Sequence, residues 1–231
     1  MNFQEGAFIY INKPYRMSSF GALAHIRYVV SKRLHVKRVK MGHAGTLDPL
    51  ATGVLILCTG KATKRIEELQ LQSKEYTATL QLGATTPSYD MEHPVDQTYP
   101  TAHITRELIL QTLPQFVGNI MQQPPLFSAC MVAGDRAYEL ARKGMDVQLA
   151  AKPVRIDELE LTDFNPETMQ MSIRVACGKG TYIRSLARDI GAALGSGAYL
   201  TALCRTRVGE VRIEDCLTFE EFPQWLENNI D

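Results

Sequence analysis

Residues 40–61 read KMGHAGTLDPLATGVLILCTGK, with a single carboxylate, Asp48, at their centre. Gly42, Gly45 and Gly53 permit close backbone approach and unusual dihedrals, and Pro49 fixes one φ angle beside the acid. The surrounding charge is lopsided: residues 25–65 hold nine Lys or Arg, and Asp48 is the only acid among them. Nearby cations favour the ionised form of a carboxylate, and a carboxylate is one of the side chains that form covalent intermediates. The plain alternative is turn chemistry, since Asp beside Pro in a Gly-rich stretch is common there. Three more groups are candidates. His43 stands five residues before Asp48, Tyr76 lies in KEYTATLQLG (74–83), and Tyr182 and Arg184 share GKGTYIRSLARDIGAALG (178–195). Each has an ordinary use: a loop histidine bonding its own backbone, a strand tyrosine packing half-buried, an arginine on the surface at a strand-to-helix junction.

The elements that position these groups are legible in outline. Residues 54–59 are β-branched and apolar, a buried strand leaving the Asp48 loop. Residues 7–12 read as a first strand stopped by Lys13-Pro14, and Ser18 or Ser19 caps a helix with Phe20, Leu23, Ala24 and Val30 roughly on one face. Residues 61–71 form a short amphipathic helix and 74–83 alternate like a strand; 85–103 is a polar, turn-rich loop, and Thr105 starts a helix with Leu108, Ile109 and Leu113 inward. Residues 154–164 and 169–177 read as two strands joined at Asn165-Pro166. Ile183, Leu186, Ala187, Ile190 and Leu194 mark a helix core face, and Tyr182 and Arg184 point the same way if the chain is still extended there. Residues 198–213 read as a strand carrying Arg205 and Arg207, and Thr218 with Glu221 makes a capping box for an acidic last helix.

The 231 residues suffice for one sizeable core, and 45% hydrophobic with 22% charged residues is ordinary for a soluble globular chain. Net charge is zero but segregated: residues 213–231 carry six acids and no Lys or Arg, leaving a basic surplus around the Asp48 loop. Five widely spaced cysteines without a C-x-x-C pair argue for buried reduced thiols. There is no basic stretch followed by a long apolar run at the N-terminus, no apolar segment of membrane-spanning length, no phosphate-binding Gly-rich helix entry and no spaced set of metal ligands.

The string GHAGTLDPLATGVLILCTGKATK closely resembles the signature loop of the TruB-type tRNA pseudouridine synthases. The resemblance extends to KEY around Tyr76, to the segment 122–144 with its Pro-Pro, Ser-Ala and Tyr-Glu-Leu-Ala-Arg landmarks, to 178–195 and to the strand carrying Arg205. Departures are Arg16 where Gly is usual, Ser18 for Thr, Met131 for Lys, and Glu210-Val211 for Pro-Phe. The resemblance implies an α/β (α+β) pseudouridine synthase fold, a mixed, mainly antiparallel sheet flanked by helices. It implies one catalytic domain over 1–231 with an RNA-gripping insertion at about 122–150 and without the small RNA-binding PUA domain of many bacterial relatives.

It also implies isomerisation of uridine-55 in the tRNA T loop, with the base extruded. Asp48 is then the nucleophile, Arg184 the partner that keeps it ionised, Tyr76 the aromatic stacking on the target base, Tyr182 a wall of the pocket, and His43 a holder of the RNA. Lys13, Lys61, Lys64, Arg205 and Arg207 are the cations expected to meet phosphate. No metal or cofactor is implied, and the expected partner is the T arm of tRNA, met by a cytoplasmic monomer. An RNA-binding chaperone of tRNA folding, and a synthase acting on another RNA, are the alternatives left open by the residues.

Overall fold

The computed structural model describes residues 1–128, 131–132, 135–136 and 149–230. The chain folds as two compact units, one made of Met1–Tyr76 and Leu203–Asp231, the other of Thr77–Ala202.

In the first unit, β1 (Phe8–Lys13) leads into α1 (Ser19–Arg33), followed by β2 (Met41–His43) and β3 (Ala51–Thr59). A 3-10 turn (Gly60–Arg65) then opens α2 (Ile66–Leu71), so the helix expected over 61–71 is α-helical only in its second half. β1 and β2 pair antiparallel with β3. The edge of β3 at Ala51 to Gly53 pairs parallel with the returning β12 (Ala198–Val208), at Leu203 to Arg205. The run from Val54 to Cys58 reads as continuously apolar because both faces of β3 are covered. Leu55 and Leu57 face a core with α1 and the final helix, whereas Val54, Ile56 and Cys58 face a second cluster with Leu69 and Val208. Gly53 is where β3 and β12 come closest: at φ +103°, an added Cβ would lie 2.2 Å from the Arg205 carbonyl oxygen.

Two sequence expectations for this unit change. The core face of α1 is Ser19, Ala22, Leu23, Ile26 and Val30, while Phe20 is exposed. The strand expected to run through 213 stops at Val208. Gly209, at φ +56°, and Glu210 form a two-residue turn into β13 (Val211–Arg212). Thr218 and Glu221 do cap each other's backbone N–H, at 2.8 and 3.2 Å, just before the last helix, α5 (Phe222–Asn229).

The second unit takes over part of β4 (Lys74–Leu82), whose inward positions alternate as read from sequence, and continues through the short strands β5 (Ala84–Thr85) and β6 (Gln97–Thr98). Thr105 caps α3 (Arg106–Thr112) through Leu108 N–H. The helix tightens to a 3-10 turn where Pro114 lacks an N–H. Next come β7 (Gly118–Gln122), the short strands β8 (Met131–Val132) and β9 (Asp135–Arg136), β10 (Lys152–Asn165), β11 (Gln170–Cys177) and α4 (Ile183–Ala193). Strand order here is β12-β4-β11-β10-β7, with β10 antiparallel to both neighbours. Ile183, Leu186, Ala187 and Ile190 are buried, as the helical spacing predicts. The sheet is mixed and mainly antiparallel, in line with the fold class read from sequence. Most of the expected RNA-gripping insertion, including Tyr138 to Arg142 and the side chain of Met131, lies outside the described residues.

Candidate active site

Asp48 occupies the first position of a tight turn: its carbonyl accepts from Ala51 N–H at 3.0 Å, with Pro49 next in line. The residues around it form no regular element, yet their backbone is tied at Ala44, Gly45, Leu47 and Pro49. Ala44 N–H reaches Ile56 O at 2.9 Å, Gly45 O accepts from Arg205 Nη2 at 3.1 Å, and Pro49 O accepts from Lys13 Nζ at 3.4 Å. Leu47 bonds the Ser19 hydroxyl through both its N–H (2.8 Å) and its C=O (2.9 Å). The half-buried Asp48 carboxylate therefore rides on a loop whose path is set by groups from β1, α1, β3 and β12.

Two of those groups were expected elsewhere. Lys13 and Arg205 were read as phosphate-facing cations, but they are 0% and 2% exposed. Lys13 Nζ also donates to Pro14 O (2.9 Å) and Met17 O (2.5 Å), and Arg205 Nε donates to Val54 O at 2.8 Å. A buried cation must be given acceptors, and backbone carbonyls supply them here. Burial lowers the Lys13 ammonium to about 8, against the pull of Asp48 and with a push from Arg205. Arg207 is half-buried, donating to Gly209 O at 2.9 Å and standing 4.0 Å from the Glu75 carboxylate. Of the five cations, Lys61 and Lys64 are the ones on the surface, and Lys61 pairs with Glu5.

His43 ends β2. Burial, helped by the Arg205 charge, lowers its pKa below 6.5, so the ring is neutral at pH 7. Its buried Nδ1 has no hydrogen-bond partner among the described residues. Tyr76 is buried on the inner face of β4, at 8% exposure, rather than half-buried.

In the second unit, Tyr182 is the extended residue before α4, and Ile183 is already helical, so strand alternation does not carry through to Arg184. The Gln122 side chain holds Tyr182 by both backbone groups, accepting its N–H at 2.8 Å and donating to its C=O at 3.2 Å. Arg184 is buried rather than superficial. Its guanidinium donates to Ser88 O (3.3 Å) and Phe127 O (3.0 Å) and lies 3.9 Å from the buried Asp90 carboxylate. Asp90, Gln122 and Ser19 were not singled out from sequence. Ser19 did carry a signal, because of two adjacent serines only one was needed as a cap.

Among the described residues no three His, Cys, Asp or Glu side chains gather as a metal site would require, and no helix is long and apolar enough to cross a membrane. The four described cysteines are free; Cys58 and Cys177 are buried and Cys204 and Cys216 half-buried.

A family model described as TruB family pseudouridylate synthase (N terminal domain) matches residues 32–183. A second, described as tRNA pseudouridylate synthase B C-terminal domain, matches residues 184–231. The chain is 63% identical over 228 residues to a Phocaeicola vulgatus protein named tRNA pseudouridine synthase B, covering 98% of this chain and 96% of that one. A Mycobacterium avium protein of the same name is 41% identical, with 94% of this chain and 69% of that one covered. Among solved structures, a chain in a Cbf5-Nop10-Gar1 complex is similar at a TM-score of 0.70 and 28% identity, over 99% of this chain and 58% of that one.

Proposed function

The chain belongs to the TruB family of pseudouridylate synthases, and we propose that it isomerises uridine-55 in the T loop of tRNA to pseudouridine, with Asp48 as the nucleophile. The isomerisation breaks the N1–C1′ bond and forms C5–C1′. The proton lost from C5 is matched by one gained at N1, so neither a redox partner nor a phosphate donor takes part. What the reaction needs is an anion held in register with a rotating base. The observation that carries the reading is the tied loop, which offers one half-buried carboxylate on a path fixed at Ala44, Gly45, Leu47 and Pro49. The Phocaeicola vulgatus relative named tRNA pseudouridine synthase B, covered over 96% of its length, supports tRNA as the substrate.

Tyr76 is proposed to stack on the extruded base, with Arg184 and Tyr182 as further catalytic and binding groups in the second unit. His43 is proposed to meet RNA as a neutral imidazole; an unpaired buried ring nitrogen costs ~1–3 kcal/mol, which bonding to RNA would offset. Lys61 and Lys64 are proposed as the phosphate contacts. The whole chain would act as one catalytic domain, a cytoplasmic monomer.

A tRNA transcript with tritium at uridine C5 tests this. One equivalent of label is expected to be released, and release should vanish when cytidine replaces uridine-55. Asp48→Asn is expected to abolish release while leaving tRNA affinity within about threefold, the pattern of a lost transition-state interaction. Product at another position would refute the T-loop assignment, and undiminished release by Asp48→Asn would reject the nucleophile.

A further inference from the structure

Two adjacent serines at the start of α1 divide two tasks. Ser18 is the cap: its hydroxyl accepts from Gly21 N–H at 3.0 Å. Ser19 is the first helical residue and is 2% exposed, and its Oγ points away from its own helix to Leu47. That oxygen accepts from Leu47 N–H at 2.8 Å and donates to Leu47 C=O at 2.9 Å, which a hydroxyl, with one proton and two lone pairs, does at once. Leu47 belongs to no strand and its side chain is 4% exposed, so one hydroxyl does here what a strand neighbour does elsewhere.

The geometry reaches the next residue through the peptide bond. The Leu47 carbonyl is part of the planar unit that ends at the Asp48 Cα, so holding that carbonyl orients the plane from which Asp48 projects. On the far side, Asp48 O is held by Ala51 N–H at 3.0 Å and Pro49 has its φ locked. We propose that Ser19 is a positioning residue of the reaction, a two-bond clamp on Leu47 that leaves the Asp48 carboxylate little freedom beyond its own side-chain torsions. This rests on the reading of Asp48 as nucleophile.

The test is single-turnover kinetics on the full chain with saturating tRNA transcript, well below the unfolding midpoint, with tRNA affinity measured separately. Ser19→Ala is expected to slow turnover by on the order of a hundredfold, the loss that a ~1 Å misplacement of a reacting group carries, with affinity nearly unchanged. Ser19→Cys keeps a donor and acceptor at the γ position, on a somewhat larger atom, but weakens both bonds, and should fall between that variant and the parent. Ser18→Ala also destabilises α1 but does not touch the loop; its rate should stay within about twofold of the parent, because lost stability alone does not slow the folded enzyme. If Ser19→Ala and Ser18→Ala turn over alike, or Ser19→Cys matches the parent, the clamp is refuted. If Asp48→Asn run alongside remains active, the nucleophile reading fails instead, so the two failures are distinguishable.

Discussion

Lys13 and Arg205 lie inside the first unit with their charged heads on backbone carbonyls, whereas Lys61 and Lys64 stand on a 3-10 turn with their heads in water or beside an acid. Removing a cation from water is costly, and the cost is tolerable only where acceptors are already in place. The carbonyls of residues 44–50, which no ladder satisfies in full, are such acceptors. The buried pair and the loop therefore complete each other. The exposed pair completes nothing in the fold: an ion pair like Lys61 with Glu5, 75% and 63% exposed, contributes ~0–1 kcal/mol. The buried cations thus brace the loop, while the exposed ones are left for the phosphate contacts proposed above.

The contrast breaks most readily at Arg205. Arg205→Met leaves Gly45 O and Val54 O without their donor, and charged hydrogen bonds of this kind are worth ~1.5–3 kcal/mol each. Thermal unfolding should move down by about 10 °C, with turnover falling along with it; a shift of about a degree would show that the loop does not depend on this side chain.

Lys13 sharpens the comparison through pH. Its folded value of about 8 lies below the ordinary 10.5, so between those limits the unfolded chain holds a proton that the folded chain has released. Stability must then rise as pH climbs from 8 towards 10.5, and fall again on the way back down, with a slope of at most ~1.4 kcal/mol per pH unit. Denaturant melts of the parent and Lys13→Met should diverge in that direction over this window; parallel curves would mean that Lys13 titrates normally. The smallest effect belongs to the surface pair. Lys61→Ala and Lys64→Ala should each change stability by less than about 0.5 kcal/mol, weaken tRNA binding and reduce the salt slope by about one. A loss of folding in either variant would erase the distinction.

What sequence reading could reach follows from the same distinction. Local signals came through: the alternation of β4, the apolar run of β3, the Thr105 cap and the reciprocal Thr218–Glu221 pair all act within a few residues. The Gly-rich signature marked the Asp48 loop because its chemistry is in its composition. The burial of Arg205 was out of reach, since its acceptors lie 151 and 160 residues away along the chain; Lys13 has two acceptors within four residues, but the Pro49 carbonyl that links it to the loop is 36 residues away. Phe20 misled because a helical wheel shows a stripe but not which neighbour will cover it. Gly209-Glu210 reads as part of a strand because the turn shows only in the left-handed Gly209 backbone, a conformation composition allows but does not require.

The parallel seam between β3 and β12 also imposes an order in time. Gly45 emerges from the ribosome 160 residues before Arg205, which at usual elongation rates is about ten to thirty seconds. Throughout that interval the Asp48 loop has its ties to Lys13, Ser19 and Ile56 but lacks the one from Arg205, and a product truncated before β12 would never acquire it. The loop that carries the proposed nucleophile is thus completed only late in synthesis.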